Sequence, residues 1–236
     1  MKLLAFETAT EACSVAVWAD GDVRERFELA PRRHAELALP WAEQLLAEAG
    51  IPRTQLDAIA VGRGPGAFTG VRLAISIAQG IALALERPIV AVSTLAVLAA
   101  RLPPLRTQGE EKILAAIDAR MGEVYLGAFG REGDELVALA DEVVIRPETA
   151  EIAEGGDWRG IGTGFSAVEG ALQARLAGRL ASVDAGALPH AADLARLAAA
   201  AWARGEMLAP ERAEPAYLRN NVALTLAEQA ALRARR

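Results

Sequence analysis

The sequence predicts an α/β protein made of two related lobes, each holding a mixed β-sheet covered by helices. Three observations carry that reading. Apolar runs of strand length and helix length follow one another in the order strand-strand-strand-helix-strand-helix. The same order begins again near residue 112 of the 236. Strands joined by a tight turn pair antiparallel, while strands joined through a helix run parallel, so each half mixes both kinds.

The elements follow in chain order. Residues 2–7 form a short apolar run, as expected of a strand buried on both faces. Residues 13–18 and 23–29 read as the next strands, joined at Asp20-Gly21-Asp22, where an Asp-Gly pair signals a hairpin. A helix is expected over residues 33–48, stopped by Gly50 and Pro52, with Pro40 either in its first turn or kinking it. Residues 56–61 run as a strand into Gly62-Arg63-Gly64-Pro65-Gly66-Ala67-Phe68-Thr69-Gly70. A long helix over 71–85 and a strand over 88–92 follow, and Ser93 or Thr94 caps the next helix.

The second half repeats the first. In one copy a strand ends at Glu7 and a second strand begins six residues later at Cys13. In the other, the strand ends at Asp118 and the next begins at the same offset, at Val124. Third strands begin near Asp22 and Glu135, and the strand–glycine–helix unit at 57–66 is echoed at 157–164. Three matching elements in one order indicate duplication. The expected division is an N-terminal lobe at 1–102, a linker at 103–111, and a C-terminal lobe with a terminal segment at 112–236. A helix is expected over 191–203, begun at His190.

Composition narrows the function. Hydrophobic residues make up 53% and charged residues 24%, which suits a buried core. With 25 basic and 31 acidic residues, the net charge of -6 argues against a free-standing nucleic-acid binder, though not against RNA contact inside a complex. The single cysteine, Cys13, excludes an internal disulfide and a cysteine-cluster zinc site, and two histidines, His34 and His190, leave little for another metal site. The longest uncharged apolar stretches, 73–85 and 88–100, are 13 residues each, short of the about 20 a membrane span needs. Glu7 comes too early for a signal peptide's apolar core. A soluble, cytoplasmic protein with no membrane partner is expected.

Several residues could carry chemistry. The glycine loop, with Gly64 and Gly66, opens into a helix whose free amides can hold an anion. The plainer reading is a turn that lets the helix pack tightly on the sheet. It lacks the Walker ending and a dinucleotide fingerprint. Glu7 and Asp118 end the leading strands, where α/β sheets place ligand groups, or they cap turns. Thr8 and the Gly162-Thr163-Gly164 turn are further anion or nucleotide candidates. His34 reads as a helix-terminal polar contact rather than a ligand, and Cys13 as an inert buried thiol. No Gly-x-Ser-x-Gly elbow marks a nucleophile.

Both first-half helices carry more apolar surface than one face. Gly70, Ala74, Ala78 and Ala82 recur every four residues, a row that admits a close helix. With Ala35, Leu39, Ala42 and Leu46 they form the expected partner interface, unless the two helices simply cover each other.

Phe6-Glu7-Thr8-Ala9-Thr10, Arg33-His34-Ala35-Glu36-Leu37, Gly64-Pro65-Gly66-Ala67-Phe68-Thr69-Gly70-Val71-Arg72-Leu73, Asp118-Ala119-Arg120-Met121-Gly122-Glu123 and Pro215-Ala216-Tyr217-Leu218-Arg219 resemble the bacterial TsaB (YeaZ) family over nearly the whole chain. The resemblance implies a duplicated actin-like (sugar kinase/Hsp70/actin) fold. It also implies a role in making N6-threonylcarbamoyladenosine beside the anticodon of tRNAs reading ANN codons. The implied partners are a TsaD-type catalytic subunit, a TsaE-type ATPase reached through the complex, and a second copy when the chain is alone, with tRNA met only through the complex. A threonylcarbamoyl-adenylate synthase is a further implied member of the pathway. The related TsaD family carries two metal-binding histidines at positions that here hold Thr94 and Leu98, whose side chains cannot replace imidazoles. A non-catalytic subunit without catalytic residues, cofactor or metal is therefore expected. The rival is a free-standing actin-like ATPase or small-molecule kinase.

Overall fold

The computed structural model describes residues 1–105, 111–133 and 135–219. The first lobe contains β1 (Lys2–Glu7), β2 (Ala12–Ala19), β3 (Asp22–Leu29), α1 (His34–Ala49), β4 (Ala58–Gly62), α2 (Phe68–Leu85), β5 (Ile89–Val92) and α3 (Thr94–Ala100). The second contains β6 (Glu111–Arg120), β7 (Glu123–Glu132), β8 (Glu135–Ala138), β9 (Val143–Ile145), β10 (Trp158–Ile161), α4 (Ala171–Leu176), β11 (Leu180–Asp184) and α5 (Ala191–Ala203). Of the linker expected at 103–111, residues 106–110 lie outside the described residues, as does the terminal stretch 220–236.

The sheets show the duplication directly. The first has strand order β3-β2-β1-β4-β5 and the second β8-β7-β6-β10-β11, with β9 added on β7. The hairpin pairs are antiparallel, and the pairs β1–β4, β4–β5, β6–β10 and β10–β11 are parallel. The copies differ where α1 and α2 stand. The second lobe has only a 3-10 turn at Pro147–Thr149 in place of α1, and the six-residue α4 in place of the 18-residue α2. The helix expected directly after Gly164 is a short 3-10 turn, Thr163–Phe165. Strand β11 escaped the sequence reading because its Leu-Ala-Ser-Val-Asp run is exposed along most of its length and shows no apolar pattern.

The last helix of each half reaches across. Leu95 and Leu98 of α3 pack with Ile113, Ile117 and Phe129 of the second sheet. Leu194, Ala195 and Ala198 of α5 pack with Leu3, Ala5 and Ala16 of the first. The start of α5 is capped from the first lobe. Ser14 Oγ accepts the Ala191 N–H at 2.8 Å, and Glu25 Oε1 accepts the Ala192 N–H at 3.0 Å. These bonds satisfy two amides that have no partner within the helix.

Helix α1 starts at His34 and ends at Gly50, whose φ of 65° gives the left-handed stop. Pro40 lies inside the helix, beyond its first turn. Helix α2 begins at Phe68, three residues earlier than the pattern indicates. By length and composition it could cross a bilayer, but its buried stripe of Val71, Ala74, Ile75, Ala78 and Ala82 packs into the core with Leu4, Phe6 and Val61 of the first sheet. This corrects the expected interface. Ala74, Ala78 and Ala82 are 0% exposed, Gly70 is buried against Thr8, and Ala42 and Leu46 of α1 are buried in the same cluster. The small side chains let α2 approach its own sheet. Only Ala35 and Leu39 of the expected set face outward.

Candidate functional site

The two carboxylates that end the leading strands have different surroundings. Glu7 is 1% exposed, with Oε1 accepting the Ala9 N–H at 2.9 Å and Oε2 accepting the Thr94 hydroxyl at 3.0 Å. Burial outweighs those bonds and pushes its carboxyl up to about 7. Thr8 is also buried and donates its hydroxyl to the Gly70 carbonyl at 2.7 Å. Both are core groups rather than open anion or nucleotide contacts, and Glu7 caps its turn, the second of the two readings open to it. Asp118 does line the space between the lobes, yet it closes its own hairpin. It accepts the Arg120 N–H and pairs with the Arg120 guanidinium, each at 2.8 Å.

The glycine loops are packing devices. A Cβ on Gly66 would stand 2.3 Å from the Ala9 carbonyl oxygen, and one on Gly162 would stand 2.3 Å from that of Ala116. Each loop thus presses on the leading strand of its lobe or on the turn that follows it, with Gly70 and Gly164 in similar contacts. Gly64 donates its N–H to Thr94 Oγ1 and accepts the Thr94 N–H in return. Thr94 therefore links the loop to Glu7, and Leu98 is buried in the second core, so neither side chain is open to a ligand.

His34 sits at the start of α1 with Nε2 at 3.0 Å from the Thr10 carbonyl and 3.1 Å from that of Ala12. Carbonyls only accept, so this nitrogen carries the proton. The ring fastens α1 to the β1–β2 turn. Burial pushes the Cys13 thiol up to about 12, which makes it unreactive.

A cleft of about 940 Å³ opens between the lobes, lined by Thr10, Arg72, Asp118, Tyr125, Thr163 and Tyr217 among others. Arg32, Arg72, Arg120 and Arg219 all face it. The Arg72 guanidinium lies 3.2 Å over the Phe68 ring and donates to the Tyr217 hydroxyl. Sequence reasoning missed this arrangement because Arg72 and Tyr217 are 145 residues apart and no spacing announces the pair.

A serine, a glutamate and a histidine also meet at α5. Ser14 gives its hydroxyl hydrogen to Glu25 Oε1 at 2.7 Å, and His190 Nδ1 bonds Glu25 Oε2 at 2.9 Å. The acid stands between the other two, and Ser14 is fully buried. A hydrolytic triad needs the histidine against the serine hydroxyl, so this cluster is a helix cap.

A family model described as TsaD, tRNA N6-adenosine threonylcarbamoyltransferase, matches residues 28–226. The chain is 43% identical over 230 residues to the tRNA threonylcarbamoyladenosine biosynthesis protein TsaB of Escherichia coli, covering 94% of this chain and 96% of that one. The chain belongs to the TsaB family. The TsaB protein of Haemophilus influenzae is 37% identical over 232 residues, covering 94% of this chain and 95% of its own. A Pseudomonas aeruginosa crystal structure, described as an uncharacterized protein with similarity to peptidase YeaZ, superposes with a TM-score of 0.84. It is 49% identical and covers 92% of this chain and 99% of its own. The two mixed sheets with one shared strand order are the duplicated actin-like fold of this family.

Outside the cleft, the outer faces of α1 and α2 carry exposed apolar and small side chains. Leu39 is 47% exposed, Phe68 69% and Leu83 59%. Ser76, Gly80 and Ala84 lie outward along α2 at four-residue spacing. This is a second row of small residues, and it faces away from the sheet.

Proposed function

We propose that this chain is a non-catalytic cytoplasmic subunit in the formation of N6-threonylcarbamoyladenosine on tRNA, pairing with a TsaD-type catalytic subunit. Its identity to curated TsaB proteins across almost its whole length carries the reading. The site chemistry supports the non-catalytic part. Glu7 and Thr8 are buried and bonded inside the fold, Asp118 closes its own turn, and Thr94 and Leu98 are buried.

The partner surface we assign is the outward face of α1 and α2, with Ala35 and Leu39 on one helix and Leu73, Gly80 and Leu83 on the other. Small outward residues let a partner's helix come close, while the leucines supply apolar area. We assign the same face to self-association when the chain is alone, so a homodimer competes with the functional pair. The TsaE-type ATPase and tRNA are reached through the complex.

The test is reconstitution. TsaD-type and TsaE-type subunits, the threonylcarbamoyl-adenylate synthase, ATP and unmodified tRNA are combined with and without this chain, and modified adenosine is measured by mass spectrometry. The proposal expects modification only with the chain present, and negligible ATP turnover by the chain alone. Modification at full rate without it would refute the role. ATP hydrolysis by the purified chain at about 1 per second or more, lost in Asp118→Ala, would favour a free-standing ATPase or kinase.

A further inference from the structure

The segment from Leu208 to Arg219 joins the two lips of the inter-lobe cleft. It starts as a one-residue extension of the first sheet, where Leu208 and Ile89 exchange backbone bonds of 2.8 and 2.9 Å. Gln79 of α2 then holds the Pro210 and Ala213 carbonyls at 3.0 and 3.2 Å, and Ala213 is buried in the first core. Next, the Ala216 N–H donates to the Arg63 carbonyl at 2.8 Å, and Tyr217 accepts from Arg72. The chain then crosses to the other lobe. Arg219 donates to the Ala119 carbonyl at 3.2 Å and pairs with Glu123 across the β6–β7 turn.

The two ends are unequally fastened. The first-lobe end has backbone pairing, side-chain bonds from α2 and a buried residue. Among the described residues, the second-lobe end rests on the Arg219 guanidinium alone, through the Ala119 carbonyl bond and an ion pair of two partly exposed groups, which is a lesser and salt-sensitive fastening.

We infer that residues 208–219 form a clasp that fixes the opening of the cleft, and that the lobes part by release of Arg219 from the β6–β7 turn. The clasp then stays with α2 and the first lobe. Release also uncovers the part of the cleft that Tyr217 and Arg219 line. The inference concerns the isolated chain and stands apart from the choice of partner.

The experiment measures the lobe separation in the full chain. Spin labels are placed at Ala47→Cys on α1 and Gln173→Cys on α4, both exposed positions, in a Cys13→Ala background. Distance distributions are recorded by double electron–electron resonance for the parent, Arg219→Ala, Glu123→Gln and Arg120→Ala. Arg120→Ala serves as the control, because its guanidinium pairs with Asp118 rather than with the clasp. The parent should show one narrow distribution. Arg219→Ala and Glu123→Gln, which break the same pair from opposite sides, should both broaden it towards longer distances, and Arg120→Ala should not. Amide exchange over residues 119–123 should speed up about tenfold in the two clasp variants, as for loss of a charge-assisted bond. Circular dichroism identifies which of the two is folded. A folded clasp variant with the parent's distance distribution overturns the inference, and so does equal broadening in Arg120→Ala.

Discussion

Ala78→Arg separates the two faces of α2. Ala78 is 0% exposed and lies in the core shared with β1 and β4. An arginine there must both displace packed neighbours, at about 1–3 kcal/mol, and bury an unpaired charge, at about 3–5 kcal/mol. Together these come to roughly 4–8 kcal/mol against a typical total stability of about 5–15. For a chain of this size each kcal/mol lowers Tm by about 2–4 °C, so the melt should fall by on the order of 10–30 °C or lose its cooperative transition. The matched change is Gly80→Arg, two residues further on. A Cβ at Gly80 meets nothing within 4 Å, and replacing a mid-helix glycine removes a penalty of about 1 kcal/mol. Its Tm should equal or slightly exceed the parent's. Thermal circular dichroism of the two variants checks this. An Ala78→Arg protein that melts at the parent's temperature would refute the assignment of that row to the protein's own sheet.

Two further outcomes follow from the buried polar groups. The folded-state pKa of Glu7 lies near 7, above its ordinary 4.5. The unfolded chain therefore loses this proton first, and stability falls as pH rises from about 4.5 to 7. Glu7→Gln should remove that decline, gaining up to about 3 kcal/mol at pH 8, and a urea-melt series across pH would show a parent-like slope if the reasoning fails. Burial works to raise the Glu25 carboxyl, but bonds from His190, Ser14 and the Ala192 amide together hold it below its ordinary value. Its contribution is present above about pH 4.5 and fades as pH falls further. Glu25→Ala should cost about 2–4 kcal/mol at pH 7 by stranding two buried donors. An unchanged denaturation midpoint would count against the cap.

Much of the fold was legible in the sequence because the repeat is written in local patterns. Asp20-Gly21 marks the hairpin, Gly50 ends α1, and Ser93 caps α3 by accepting the Leu95 and Ala96 amides. What could not be read was orientation. Gly70, Ala74, Ala78 and Ala82 form one small row and Ser76, Gly80 and Ala84 another. Periodicity alone does not say which row meets the sheet, since both are compatible with close approach. Arg72, Ser76 and Gln79 also share a narrow polar stripe on α2, and spacing alone does not say what that stripe meets. Arg72 and Gln79 hold residues 210–217 against the helix, and only Ser76 is exposed. The exchange of α3 and α5 between lobes rests on contacts such as Ser14 to Ala191, 177 residues apart. The strand-end acids were visible, but whether they open on a cleft depends on neighbours such as Thr94, which only the folded chain brings to Glu7.

The central claim is that the outward face of α1 and α2 receives the TsaD-type subunit. Its most direct test is the affinity of Gly80→Arg for that subunit, measured by isothermal titration calorimetry beside the parent protein. A bulky cation at the close-packed centre of an interface should weaken binding by about 100-fold or more while the melt stays at the parent's value. A folded Gly80→Arg protein that binds the TsaD-type subunit with the parent's affinity would contradict the account.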